Sequence, residues 1–265
     1  MNTKLLDFKI KRNLWADIFW AYKSAFHWNW LEFAEHKEYV VGDNIKFINW
    51  KASAKTGKLQ VKKFEEERNL KVLFLIDNFD NTFPQKIQTL KETFYLLALS
   101  AYKNNDSISI FLPNQKIPTQ PVTSLDIVFK TLENITQTGN NLEHQIRQLN
   151  KLNFQNYLIF ILSDTDEIKN LKDWKLLALK NEINFINIFH SFENNLLDLD
   201  WIISLENKMI YDVYLKSEKI IQYLKLRKKK LDNFKKQLQN LQIDYVYLDE
   251  KLNPFVEIFK LFSKK

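Results

Sequence analysis

Four short apolar runs alternate with stretches of helical spacing, and they constrain this chain more than any other feature. They are Val72–Ile76, Ile108–Leu112, Tyr157–Leu162 and Ile183–Phe189. A strand apolar on consecutive residues, as Val72–Ile76 and Tyr157–Leu162 are, buries both of its faces, as strands do in a parallel sheet covered by helices on each side. Pro84–Asn104 supplies one such helix. Ile87, Leu90, Phe94, Leu97 and Ala101 recur at helical spacing, and a proline opens it where its missing N–H costs nothing. Further helices are expected over Leu125–Ile135, from Leu142, and over Lys172–Lys180, Glu218–Leu241 and Pro254–Phe262, with a last strand at Tyr245–Leu248. Trp201–Leu205 and Met209–Val213 read as a small hairpin, and Leu59–Phe64 as an extended approach strand. The expected class is α/β, mostly parallel, with helices on both faces.

Composition narrows the function classes. A chain of 265 residues, 45% hydrophobic and 14% aromatic, can bury a sizeable core and is not a disordered polymer. It has no cysteine, which excludes disulfides and thiolate metal sites and fits a reducing compartment. No run reaches the roughly 18 apolar residues of a membrane span, and MNTKLLDFKIKRNLW lacks the uninterrupted apolar core of a secretory signal. The net charge of +7 permits anionic partners but speaks to association, not to fold. Five of the seven tryptophans lie in the first 50 residues. There Leu14, Ile18 and Tyr22 recur every fourth residue beside Trp15 and Phe19. Packing within the fold is the simplest reading of this aromatic segment. A partner-binding or membrane-interface surface is the alternative. Nucleic-acid stacking would want basic residues interleaved with the rings, and these are sparse.

The usual enzyme motifs are missing. There is no Gly-rich phosphate loop, no His-Glu-x-x-His pair and no nucleophile elbow. The four histidines (His27, His36, His144, His190) are scattered. Lys225, Arg227, Lys228, Lys229, Lys230, Lys235 and Lys236 crowd one segment, but Leu224, Leu231, Phe234, Leu238 and Leu241 give that segment one apolar stripe. A solvated face on a packed helix accounts for such a pattern; an acidic partner, lipid or nucleic acid are the alternatives.

Glycine is scarce, and two of the three glycines, Gly42 and Gly57, fall between Glu32 and Asp80. In so glycine-poor a chain they mark turns that require φ > 0. The same stretch reads Glu32-Phe33, then Tyr39-x-x-Gly42-Asp43-Asn44-x-Lys46-x-Ile48-Asn49-Trp50-x-x-x-Ala54-Lys55, then Phe64-Glu65-Glu66-Glu67-Arg68 and an apolar strand that delivers Asp77 to its end. This resembles domain-of-unknown-function family 58, bacterial proteins related to von Willebrand factor A domains and associated with MoxR-type AAA+ ATPases. The family's usual pattern has Asp where this chain has Asn44 and Asn49, and Arg where it has Lys46 and Lys55. The resemblance implies a von Willebrand factor A-like, Rossmann-like sandwich over residues 69–265, behind an N-terminal aromatic-rich appendage over 1–68. It also implies a short soluble form, since membrane spans often precede this region in the family. The setting expected is bacterial and cytoplasmic, with a peripheral seat at the inner membrane as the alternative.

Such folds carry a metal-dependent adhesion site above the sheet, built as Asp-x-Ser-x-Ser, a Thr in a second loop and a later Asp, all oxygen donors suited to Mg²⁺. Here the matching positions are Asp77, Phe79, Asn81, Asn140 and Asp164. Phe79 offers no lone pair, so the site is expected to be vestigial, with no resident metal or other cofactor. Asp77 and Asp164 are expected to bond loop amides at the rim. The signature residues Tyr39, Gly42, Asp43, Asn44, Lys46, Asn49, Trp50 and Lys55 are expected to form a structural clasp, with Asp43 accepting from the amides after it and the Trp50 ring buried. The functional expectation is a non-enzymatic, chaperone-like interaction module that acts with a MoxR-type ATPase on other von Willebrand factor A-like or membrane-bound proteins, with no nucleic-acid partner. The alternatives are a basic binder of membrane or nucleic acid, and a hydrolase using Asp43, Asp77 and Asp164.

Overall fold

The computed structural model describes residues 21–27, 33–41, 43, 48–64, 70–78, 84–122, 124, 126, 130, 141–191, 202–204, 211–213 and 217–263. They fall into two compact units, one of Met1–Leu70 with Phe262–Lys265, the other of Lys71–Leu261.

The second unit is built on five parallel strands: β3 (Lys71–Ile76), β4 (Ser107–Phe111), β5 (Leu158–Ser163), β6 (Glu182–Ile188) and β9 (Asp244–Leu248). Their lateral order is β4-β3-β5-β6-β9. Three helices, α3 (Leu142–Lys151), α4 (Leu171–Ala178) and α5 (Ser217–Asn240), cover one face. Leu73, Leu75, Ile159, Ile161, Ile183 and Phe185 point into that layer and meet Ile146, Leu149, Trp174, Leu177, Phe234 and Leu238. Side chains alternate along a strand, so Val72, Phe74 and Ile76 serve the other face. There Phe74 stacks on Phe160 at 5.5 Å and meets Phe94 of α2 (Pro84–Lys103) edge-on at 4.8 Å. The final helix, α6 (Pro254–Phe262), buries Ile258 and Leu261. Every resolved position in the core of β3 and β5 is buried, the double-sided burial that the apolar runs require.

The expected α/β class therefore holds, with its parallel sheet and helices on both faces. The hairpin holds too: β7 (Ile202–Ser204) pairs antiparallel with β8 (Tyr211–Val213). The helix expected over Leu125–Ile135 lies mostly outside the described residues, though Asp126 and Lys130 are helical.

The first unit differs from its sequence reading. Gln60–Phe64 is a strand, β2, but it pairs antiparallel with β1 (Phe33–Glu38) in a sheet of its own and takes no place in the parallel sheet. A short helix, α1 (Trp50–Thr56), sits between them in sequence. Neither β1 nor α1 was expected. FAEHKE has no clean alternation, and α1 is too short for a periodic pattern to show. Its ends are nevertheless signalled. Asn49 caps it by accepting from the Ala52 amide at 3.2 Å, and Gly57 ends it at φ +74°, a left-handed angle that favours glycine. Tyr22 and Phe26 are fully buried and meet Phe262, ring centroids 5.1 to 5.6 Å apart.

Candidate functional site

In chain order the five parallel strands run 2-1-3-4-5 across the sheet. The direction of winding reverses between β3 and β5. In open α/β sheets ligands gather outside the carboxyl ends of the strands at this reversal, where the two neighbouring loops part. Asp77 follows β3 and Ser163-Asp164 close β5, so the topology sets these residues side by side. The Asp77 amide donates to the Leu162 carbonyl at 3.0 Å and continues the ladder to the rim.

Asp77 is buried. Its Oδ2 accepts from the Ser163 hydroxyl at 2.5 Å, and its Oδ1 from the amides of Asn78 at 2.7 Å and Leu142 at 3.1 Å. Leu142 opens α3, and the His144 amide two residues on is capped by the Asn141 side chain at 3.0 Å. A carboxylate is thus held against a helix N-terminus, where the dipole favours negative charge. Burial nevertheless pushes the Asp77 carboxyl up to about 6, with the Asp164 charge adding to the rise, against the lowering effect of the three hydrogen bonds. Ser163 also accepts from the Thr165 amide at 3.0 Å, and Asn187 donates to the Thr165 carbonyl at 2.8 Å. Gln145 donates to the carbonyls of Ile76 and Phe111, which ties α3 across the ends of β3 and β4. The expected role of Asp77, bonding loop amides, is what the geometry contains.

Asp164 does something else. Its Oδ2 lies 2.6 Å from the ammonium of Lys86, and the Lys86 side chain is only 4% exposed. Lys86 belongs to the first turn of α2. Sequence reasoning passed over it. The signal was available: Lys86 stands four and eight residues before Leu90 and Phe94, in register with the buried face, while Ile87, expected on that face, is only partly buried. The remaining acids of this loop are also paired. Lys230 of α5 reaches Asp166 at 2.8 Å and Glu167 at 3.2 Å. The basic segment therefore has part of its charge in pairs within the chain. Arg227 lies over the Phe189 ring at 5.0 Å and Lys235 over Tyr245 at 5.1 Å.

Phe79, Asn81 and Asn140 lie outside the described residues, as do Gly42, Asn44 and Lys46. Among the described residues no group of three or more His, Cys, Asp or Glu is placed to hold a metal ion. Mg²⁺ demands octahedral oxygen geometry at short range. Asp77 Oδ1 already carries two donors and Asp164 already carries an ammonium, so among the described residues these two carboxylates do not fit that ion. Ser163 is fully buried and its hydroxyl is directed at a carboxylate, so it is not a reachable nucleophile.

The signature stretch forms a network within the first unit. The Tyr39 amide donates to Leu59, and that of Asn49 to Gln60, each at 2.8 Å. Ser53, which the sequence did not single out, links the two ends: its hydroxyl donates to the Asn49 carbonyl at 2.9 Å and accepts from the Gln60 amide at 2.8 Å. One expectation is corrected and one stays outside the described residues. Asp43 accepts from Val40, three residues before it, at 3.0 Å, and from Lys37 at 2.7 Å; the amides expected to bond it, those of residues 44–47, lie outside the described residues. The turn closes backward because the Asp43 amide itself donates to the Val40 carbonyl at 2.9 Å. And Trp50 is not a buried ring: it is 67% exposed. It is the first residue of a helix whose buried residue is Ser53, and Lys51 and Lys55 on the same helix are exposed as well.

A family model described as "Protein of unknown function DUF58" matches residues 35–208. The chain belongs to this family. The match covers more than half of its length and takes in both the signature network and the carboxyl rim. No curated protein matches the chain. Among the described residues no helix of this family member is long and apolar enough to cross a membrane.

Proposed function

We propose that this DUF58 protein is a non-enzymatic interaction module that acts with a MoxR-type AAA+ ATPase to assemble or activate another protein complex, and that the signature stretch is the surface that docks. The observation that carries this reading is the exposure of Trp50. A large aromatic ring left in water contributes little to the fold, whereas such rings dominate interfaces once a partner desolvates them. Val40, Val41 and Leu59 are exposed too, on segments joined to Asn49 and Tyr39 by backbone hydrogen bonds. Lys51 and Lys55 add positive charge beside them, which suits an apolar patch with an acidic rim on the partner.

The test is a pull-down of the ATPase from the same cell with the wild type and with Trp50→Ala, with and without ATP. A complex formed by the wild type and lost by a Trp50→Ala chain of unchanged melting supports the reading. No complex under any nucleotide condition counts against it, as does a turnover activity that disappears on Asp77→Ala.

A further inference from the structure

We propose that the ammonium of Lys86 is the resident cation of the sheet's carboxyl rim, standing in for the divalent ion that folds of this type hold there, so that the rim keeps its charge balance without metal. The inference is independent of the Trp50 surface.

Lys86 sits where a lysine is least expected. The first turn of a helix carries the positive end of the dipole and favours acidic residues, yet the first turn of α2 has none. The position is also in register with the apolar face, so the four-carbon stem is buried with it. A buried ammonium is costly unless paired. The partner is Asp164, from the strand end across the winding reversal. Asp164 in turn stands close enough to Asp77 for the two charges to oppose one another. Two neighbouring carboxyl groups at a rim are stabilised by a positive centre. A divalent ion is one solution and a lysine tip is another, and the two compete, because both draw on the one Asp164 carboxylate.

The test uses the full chain, titrated with Mn²⁺ and Mg²⁺ in a calorimeter and melted with and without them. The wild type is expected to show no saturable heat and no shift in melting. Lys86→Ala is expected to melt several degrees lower, and to recover part of that loss with Mn²⁺ or with an added alkylammonium ion, neither of which moves the wild type. Lys86→Arg, which keeps the charge, is expected to stay nearer the wild type. If Lys86→Ala does not fold while Lys86→Arg does, the requirement for a cation is upheld by that contrast. Saturable Mn²⁺ binding by the wild type that is lost in Asp164→Asn overturns the proposal. So does a Lys86→Met chain that melts with the wild type, or a Lys86→Ala chain that responds to neither cation.

Discussion

The two units each carry a lysine–aspartate pair at nearly the same distance. Lys37 and Asp43 are 2.7 Å apart in the signature stretch, and Lys86 and Asp164 are 2.6 Å apart at the rim. Chemically they are the same bond. They differ in what surrounds the lysine: Lys37 is 40% exposed in its side chain, Lys86 only 4%. In the first pair water screens both charges, and an exposed pair of this kind contributes little. Its visible effect is local. The Lys37 bond, with the Val40 amide, holds the Asp43 carboxyl below the usual range. In the second pair the lysine has left water altogether, and its partner is what makes that tolerable. Contact geometry alone would rank the two alike; burial of the lysine ranks them far apart.

The largest expected effect follows from that ranking. Lys86→Met keeps the apolar stem and removes the ammonium that Asp164 meets at the rim. Loss of one member of a buried pair typically costs about 3–5 kcal/mol, and denaturant unfolding should show a loss of that order. Lys37→Met, measured alongside, should show far less. Equal losses would break the comparison.

The next effect is a pH dependence. The Asp77 carboxyl is raised from 3.8 to about 6, so the folded state holds this proton more tightly than the unfolded chain does. The resulting stability is fully present below the unfolded value and is lost as pH rises through about 6. The full swing is on the order of 3 kcal/mol. Unfolding free energies measured from about pH 4 to about pH 7 should fall across that window in the wild type. The fall should be missing from Asp77→Asn. The Asp43 pair contributes with the opposite sign and at lower pH, so Asp43→Asn should leave the slope in this window unchanged.

Smaller effects belong to the signature stretch. Asn49→Ala removes the cap of α1 and should cost about 1 kcal/mol, read as a modest drop in melting temperature. Trp50→Ala should change stability by no more than about 0.5 kcal/mol, as exposed substitutions usually do. A sharp drop in melting on Trp50→Ala would return Trp50 to the role of a buried clasp and remove the main support for a docking surface.

Much of the second unit was legible before any coordinates. The apolar runs became β3, β4, β5 and β6, and Pro84 and Pro254 stand at helix starts where local chemistry wants them. These elements are decided by short-range periodicity, and both the period and its interruptions are written in neighbouring residues. Asp77 and Asp164 were also picked out, since each ends a strand. Lys86 was not, because a lysine in a long helix reads as solvent-facing until its neighbours at four and eight residues are counted with it. In the first unit, periodicity failed where elements are short: β1 and α1 carry too few residues to show a pattern, and the signature conveyed their importance without their form.

The sequence by itself determined the class of fold and the positions of the strands of the parallel sheet, because hydrophobic periodicity acts between residues close in the chain. The tertiary structure alone decided which charges meet. Lys86 reaches Asp164 only because β5 lies beside β3 where the winding reverses, and Trp50 stays in water only because α1 buries little more than Ser53. Charge pairing depends on what packs against a residue from distant parts of the chain; the local pattern places Lys86 on a buried face but does not name its partner.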